Sequence, residues 1–293
     1  MMQVQFKIEE NSGHIHVPIY VNETGPYYFT LDTGAGLTTV SKALIEKLGM
    51  PLLTDDKIKA AGVGGSVSVM KSSLNHLRIG SEVLENENVA VLDFESIFGP
   101  MWTSSGLIGH SILKNFRVTI DYKDSTISLK RNQSFRSEGD HLINWVPFKY
   151  LEDTHIIIVP VHINKKGPYD FILDTGSSGT ILSPNLVTKL GLDHKSSETT
   201  HDHSSEDVNA CGIGECPGVG GVAKGYTINL DQLSIKSAIQ ENPTVGVIDL
   251  KLVSPKNLKL NQGIIGYPFL KNFKVILDFP NKRVGIIKQK RPN

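Results

Sequence analysis

The chain has 293 residues, of which 39% are apolar and 20% charged. That length is enough for about two domains of roughly 150 residues, and the balance excludes an intrinsically disordered polymer. Its 30 basic and 30 acidic side chains cancel to zero net charge, which leaves no electrostatic footprint for nucleic acid, and no apolar run approaches the ~18 residues of a membrane helix.

The opening segment, "MMQVQFKIEE", lacks the apolar core of a secretory leader. The expected compartment is therefore the cytosol if the chain is complete, and outside it if a leader has been removed. Segments such as "HIHVPIYV" and "YYFTL" are rich in β-branched and aromatic residues and read as strands, with Gly25-Pro26 as the hairpin turn between them. The strand that follows runs into Asp32-Thr33-Gly34-Ala35. A short helix is expected after Ser41, capped by its hydroxyl, with Leu44 and Leu48 on one face and Gly49 closing it. Further on come Gly62-Val63-Gly64-Gly65, then Leu107-Ile108-Gly109, then a second short helix near Ser111.

After a polar stretch, Asn132 to Leu142, the phrase begins again. Shifted by 142 residues, Val17-Pro18, Asn22 and Gly25-Pro26-Tyr27 fall on Val159-Pro160, Asn164 and Gly167-Pro168-Tyr169. Leu31-Asp32-Thr33-Gly34 falls on Leu173-Asp174-Thr175-Gly176, which Ser177 follows. A helix is expected after Ser183. The last third matches at a shift of 157: "GLIGHSILKNFRVTIDY" against "GIIGYPFLKNFKVILDF". The larger shift places extra residues before the second Gly218-Val219-Gly220-Gly221, around "SSETTHDHSSEDVNACGIGECP". Ordered matches of this kind identify an internal duplication, with one half in residues 1–135 and the other in 143–293. The copies are too long and too few for a solenoid.

An aspartate at the end of an apolar strand is costly to bury unless hydrogen bonds hold it. A glycine two residues on lets the backbone turn back and offer an N–H to the carboxylate. Two such loops meeting at a pseudo-twofold axis would bring two carboxyl groups together. They could not both ionise easily, so one proton would serve the pair. Such a pair is a base and an acid at once, suited to activating water against an amide without metal or covalent intermediate.

With these residues in place, the chain resembles the retropepsin-like aspartic proteases, in a tandem form with both halves on one chain. The resemblance implies an all-β fold of two homologous β-barrel halves with short helices, related by a pseudo-twofold axis. It implies Asp32 and Asp174 as the catalytic pair. Thr33, Gly34, Thr175, Gly176 and Ser177 would support the dyad, with the two threonines exchanging hydrogen bonds across the axis. It implies flaps at Gly62, Val63, Gly64 and Gly65 and at Gly218, Val219, Gly220 and Gly221, over an extended peptide or protein substrate. Ile108 and Ile265 are expected to wall the cleft. The expected assembly is a monomer acting as a pseudo-dimer, without cofactor, metal, nucleic acid or membrane as partner. The expected activity is endopeptidase; the alternative is a catalytically silent peptide-binding module. In the pepsin-like branch of the resemblance a hydroxyl at position 177 donates to the carboxylate, which would make Asp174 the more acidic partner.

Other signals carry less. His201, His203, Cys211 and Cys216 share the inserted segment, where zinc, a local disulfide or free thiols are all compatible with the spacing. "GVGGVA" at 218–223 is followed by a strand-like segment, which argues against a dinucleotide site. Trp102 and Trp145 read as packing residues, Trp102 with a subsite wall as its alternative, and His110 as a surface or cleft-flanking histidine.

Overall fold

The structure is a computed structural model that describes residues 3–62, 65–100, 102–131, 139–192, 214–218, 221–250 and 262–289, without the side chains of 54–67 and 214–224. It is mostly β, with short helices. In the first half, Ile15–Val21, Thr24–Leu31, Gly106–Ile108, Thr39–Ser41, Glu82–Leu92 and Gly65–Ile79 pair in that order. Gly65–Ile79 then pairs back onto Ile15–Val21 and closes the ring. In the second half the counterpart of that long strand is split. Gly221–Asn229 pairs with Thr244–Ile248, and Gln232–Ile235 pairs with Ile157–Ile163. Leu230 and Asp231 interrupt the edge, so the second ring is curled but broken at this point.

The strand that leads to each aspartate changes environment along its length. Thr24–Leu31 starts exposed and ends with Phe29, Thr30 and Leu31 buried, and Lys166–Leu173 repeats the pattern. Each strand therefore carries the next residue, Asp32 or Asp174, into the interior. The preceding turns lie one step before the expected Gly-Pro pairs. They are formed by Asn22-Glu23 and Asn164-Lys165, all at positive φ, with Val21 facing Thr24 and Ile163 facing Lys166. A two-residue hairpin of the type I′ form needs φ above zero at both central positions, which asparagine tolerates at the first. Gly25-Pro26 and Gly167-Pro168 belong to the strands that follow.

The expected helices are Lys42–Lys47 and Pro184–Leu190, with the hydroxyls of Ser41 and Ser183 accepting from Leu44 and Leu186 N–H. His110–Leu113 and Tyr267–Leu270 are the second short helices. A further helix, Phe94–Phe98, is capped by Asp93. Among the described residues no helix is long and apolar enough to cross a membrane.

A six-stranded sheet joins the halves, in the order Val4–Gln5, Thr126–Arg131, Phe116–Asp121, Phe273–Asp278, Arg283–Lys288, Val146–Pro147. Its central antiparallel pair sets Arg117 opposite Asp278, Thr119 opposite Ile276 and Asp121 opposite Lys274. These are the residues that the 157-residue shift superposes, so the pseudo-twofold axis passes between Thr119 and Ile276. Symmetry-related ion pairs flank it: Arg117 Nη2 to Asp278 Oδ2 at 2.7 Å and Lys274 Nζ to Asp121 Oδ2 at 2.6 Å. The polar stretch between the halves ends in a buried node. There Asp140 receives Arg117 at 2.9 Å and Arg283 at 2.6 Å. Trp145 packs against the Arg283 guanidinium at 4.0 Å, a structural contact, as its sequence context implies.

Candidate active site

The two Asp-Thr-Gly loops meet at the axis. Thr33 Oγ1 donates to Leu173 O at 3.0 Å and Thr175 Oγ1 to Leu31 O at 2.8 Å. Each hydroxyl also accepts from the other's backbone, Thr33 N–H at 3.1 Å and Thr175 N–H at 3.0 Å. Both threonines are buried. Four reciprocal hydrogen bonds therefore fix one loop against the other. A lost partner would leave a buried polar group unsatisfied at about 1–3 kcal/mol.

This grip brings the carboxyl groups of Asp32 and Asp174 together, close enough for the charge of one to bear on the other. Gly34 N–H reaches Asp32 Oδ1 at 2.8 Å and Asp174 Oδ1 at 3.2 Å, so one donor touches both. A Cβ at Gly34 would lie 2.7 Å from Asp174 Oδ2, and one at Gly176 would lie 2.5 Å from Asp32 Cγ. Any larger residue would push the opposite carboxyl group out of place.

The second glycine element explains itself here. Asp32 N–H donates to Ile108 O and Asp174 N–H to Ile265 O, both at 3.0 Å. His110 N–H donates to Ala35 O at 2.8 Å and Tyr267 N–H to Ser177 O at 2.9 Å. The loops lie so close that a Cβ at Gly109 would stand 2.6 Å from Leu37 O, and one at Gly266 2.1 Å from Gly179 O.

Both carboxyls sit above the ordinary carboxylate range, and burial is the largest cause at each. At Asp32 the N–H groups of Ala35 and Gly34 oppose it. At Asp174 the charge of Asp32 adds to it. The local donors are unequal: Asp32 Oδ1 accepts at 2.8 and 2.9 Å from Gly34 and Ala35, whereas Asp174 Oδ1 accepts at 2.8 Å from Gly176 and 3.2 Å from Gly34. Charge is favoured on Asp32 and the proton on Asp174. This reverses the order expected from Ser177. Its hydroxyl donates to Gly179 O at 2.9 Å, so it braces its own loop and not the carboxylate.

Ile108 and Ile265 do not wall a cleft. They are 1% and 0% exposed and belong to the main core. Side chains alternate across a strand, so their neighbours Leu107 and Ile264 face the other way. Leu107 joins a small cluster with Ala35, Phe98 and Trp102, and Ile264 joins one with Ile158, Ile172 and Ile248. Trp102 stacks on Phe98 at 4.5 Å and on Phe94 at 5.4 Å, a packing role beside the site.

Of the expected flap residues, Gly62 pairs with Gly65 and Gly218 with Gly221, each closing a hairpin. Val63, Gly64, Val219 and Gly220 lie outside the described residues, as do His201, His203 and Cys211. The strand Gly214–Gly218 approaches the helix Phe94–Phe98, so the second hairpin reaches across to the first half.

Two histidines escaped the sequence reading. His14 Nε2 lies 3.0 Å from Gly176 O, and His155 Nε2 lies 2.8 Å from Gly34 O. Each half thus places an imidazole on the other half's Asp-Thr-Gly loop. The two do not superpose under the repeat, which is why alignment of the halves does not reveal them. His110 is half-buried beside the first Asp-Thr-Gly loop. It packs against Tyr150, His155 and Phe279, and burial, then the charge of His155, hold it down to about 4.

A family model described as aspartyl protease matches residues 17–112 and 159–269, one match in each half and each including an Asp-Thr-Gly loop. No curated protein matches the chain. With both halves matched over most of the sequence, the chain belongs to the aspartyl protease family, in its retropepsin-like form with two halves in tandem.

Proposed function

We propose that the protein is an aspartic endopeptidase, with residues 1–135 and 143–293 as its two halves and Asp32 and Asp174 as its catalytic pair. The observation that carries this reading is the Gly34 N–H that touches the carboxyl groups of both Asp32 and Asp174, a half-buried pair. Ionised Asp32 takes a proton from a water held between the two groups. The resulting hydroxide adds to the scissile carbonyl carbon while Asp174 gives its proton to the carbonyl oxygen. Collapse of the tetrahedral species returns a proton to the leaving nitrogen and restores the shared proton. Thr33 and Thr175 hold the geometry, and Gly34, Ala35 and Gly176 hold the charge.

The substrate class is an extended peptide with apolar residues flanking the cut. Support comes from the apolar clusters around Leu107 and Ile264 and from the paired hairpins ending at Gly62–Gly65 and Gly218–Gly221, beneath which a peptide strand can add. One chain supplies both loops, so a monomer suffices.

A quenched peptide library assayed from acid to neutral pH tests the reading. Asp32→Asn and Asp174→Asn should each lower cleavage by at least about 10³-fold, within the range for loss of a general acid or base, while both variants remain folded. A peptide carrying a hydroxyl in place of the scissile carbonyl should bind the unaltered protein. Binding of peptides without any cleavage would favour the silent binding module on the same fold.

A further inference from the structure

Independently of the proteolytic reading, the first hairpin gathers a second constellation. The turn Glu9–Gly13 links Lys7–Ile8 to Ile15–Val21, with Gly13 at φ +72° and its N–H on Glu9 O at 2.8 Å. His14 and His16 are two residues apart, so they share one face of the chain while Ile15 enters the core. The turn folds Glu9 back onto that face. One ligand atom from each of Glu9, His14 and His16 lies within 4.8 Å of the others, and His16 is buried.

His14 is arranged as metal-ligating histidines are. Its Nε2 is on a backbone carbonyl, Gly176 O, so the ring carries its proton there. Its Nδ1 then offers a lone pair, and this atom is buried without a hydrogen-bond partner. Glu9 Oε2 lies 3.6 Å from it, near the ~3.3 Å separation of two ligands on a tetrahedral ion with bonds of about 2.0–2.1 Å. Glu9 is itself oriented. Thr103 Oγ1 donates to its Oε1 at 3.0 Å, and Ser12 Oγ donates to its Oε2 while accepting His14 N–H at 3.2 Å. That leaves Oε2 one lone pair toward the histidines. The cluster thus combines a ligand set, an orphaned buried nitrogen and outer hydrogen bonds that fix the ligands.

We propose that Glu9, His14 and His16 bind one divalent transition-metal ion of the zinc type, with water in the remaining position. Two imidazoles and a carboxylate suit zinc better than magnesium or calcium, which prefer oxygen donors throughout. The ion would lock the His14 tautomer and so fasten the first hairpin to the second Asp-Thr-Gly loop through Gly176 O.

The test uses the full chain with Cys211→Ser and Cys216→Ser, so that thiolates do not compete. Titration with Zn²⁺ alone, followed calorimetrically, should give one ion per chain, and Co²⁺ should give visible absorption typical of low-coordinate nitrogen and oxygen ligands. Glu9→Gln, which keeps the side-chain volume, and His16→Ala should each weaken Zn²⁺ by about 100-fold or more, beyond the 10–100-fold typical of outer-shell changes. Zn²⁺ should raise the melting temperature of the parent and not of these variants. Nitrogen NMR of His14 should show Nε2 protonated and Nδ1 bare before metal is added. The proposal is overturned if the parent takes up no Zn²⁺, if both variants retain its affinity, or if His14 carries protons on both nitrogens as a partner ion for Glu9.

Discussion

The two halves carry one phrase but end it differently. After Asp32-Thr33-Gly34 comes Ala35, whose N–H reaches the carboxylate at 2.9 Å. After Asp174-Thr175-Gly176 comes Ser177, whose hydroxyl turns to Gly179 O. The first half closes its ring with one long strand, Gly65–Ile79, and the second breaks that strand at Leu230 and Asp231. Duplication supplies two equal aspartates; the Ala35 N–H on one of them makes it the better home for charge and leaves the proton to the other. The lesson is that a symmetric pair becomes an acid and a base through its neighbours, not through its own chemistry.

The largest effect expected outside the dyad tests where the halves are alike. Ile108→Ala and Ile265→Ala should each destabilise the fold by about 2–5 kcal/mol, as fully buried core truncations do, measured by denaturant unfolding. Leu107→Ala and Ile264→Ala, buried on the opposite face, should also cost stability and, unlike the first pair, change which apolar residue is preferred beside the cut. If Ile108→Ala changed preference and left stability intact, the assignment of strand faces would be reversed.

A smaller effect should separate the halves. Asp174 is held above its unfolded value, so the native state keeps a proton that the unfolded chain has released. Its contribution to stability is complete below the ordinary carboxylate range and is lost as pH rises through the raised value. Asp174→Asn removes that loss and should stabilise the protein at neutral pH by something of the order of 1 kcal/mol or more, with little change in acid. Asp32→Asn relieves the charge that Asp174 feels and should also flatten the profile. Melting temperature of each variant relative to the parent, against pH, reads both, because His110 and His16, held below their ordinary range, make the parent itself gain stability through the same window; an Asp174→Asn variant that gains nothing over the parent at neutral pH would refute the shared-proton picture.

The smallest effect concerns position 177. Ser177→Ala removes a hydrogen bond to Gly179 O, worth about 0.5–1.5 kcal/mol, and should leave the acid limb of the pH–rate profile in place. A shift of that limb would show that the hydroxyl serves the carboxylate after all.

Much of this is legible in the sequence. The repeat marked the halves, their capped helices and the two aspartates, because strand, turn and cap signals are local and were written twice. The turns at Asn22-Glu23 and Asn164-Lys165 are masked in the sequence because Gly-Pro is a stronger turn signal than Asn followed by a charged residue. The face taken by Ile108 is not legible, because a three-residue buried strand shows no alternation to read. The histidines at 14 and 155 act across the axis, between residues more than a hundred positions apart, and nothing local announces such a contact. Ser177 could be recognised but not aimed, since a hydroxyl rotor chooses among acceptors that only the folded loop provides.

The central strand pair has a consequence of its own. Arg117 faces Asp278, and its repeat-equivalent Lys274 faces Asp121. Replace either strand by its counterpart and the charges still match, Arg117 with Asp121 or Lys274 with Asp278. Each half therefore carries a strand whose charges would suit a second copy of itself, and within the chain each of these strands is already taken by the other.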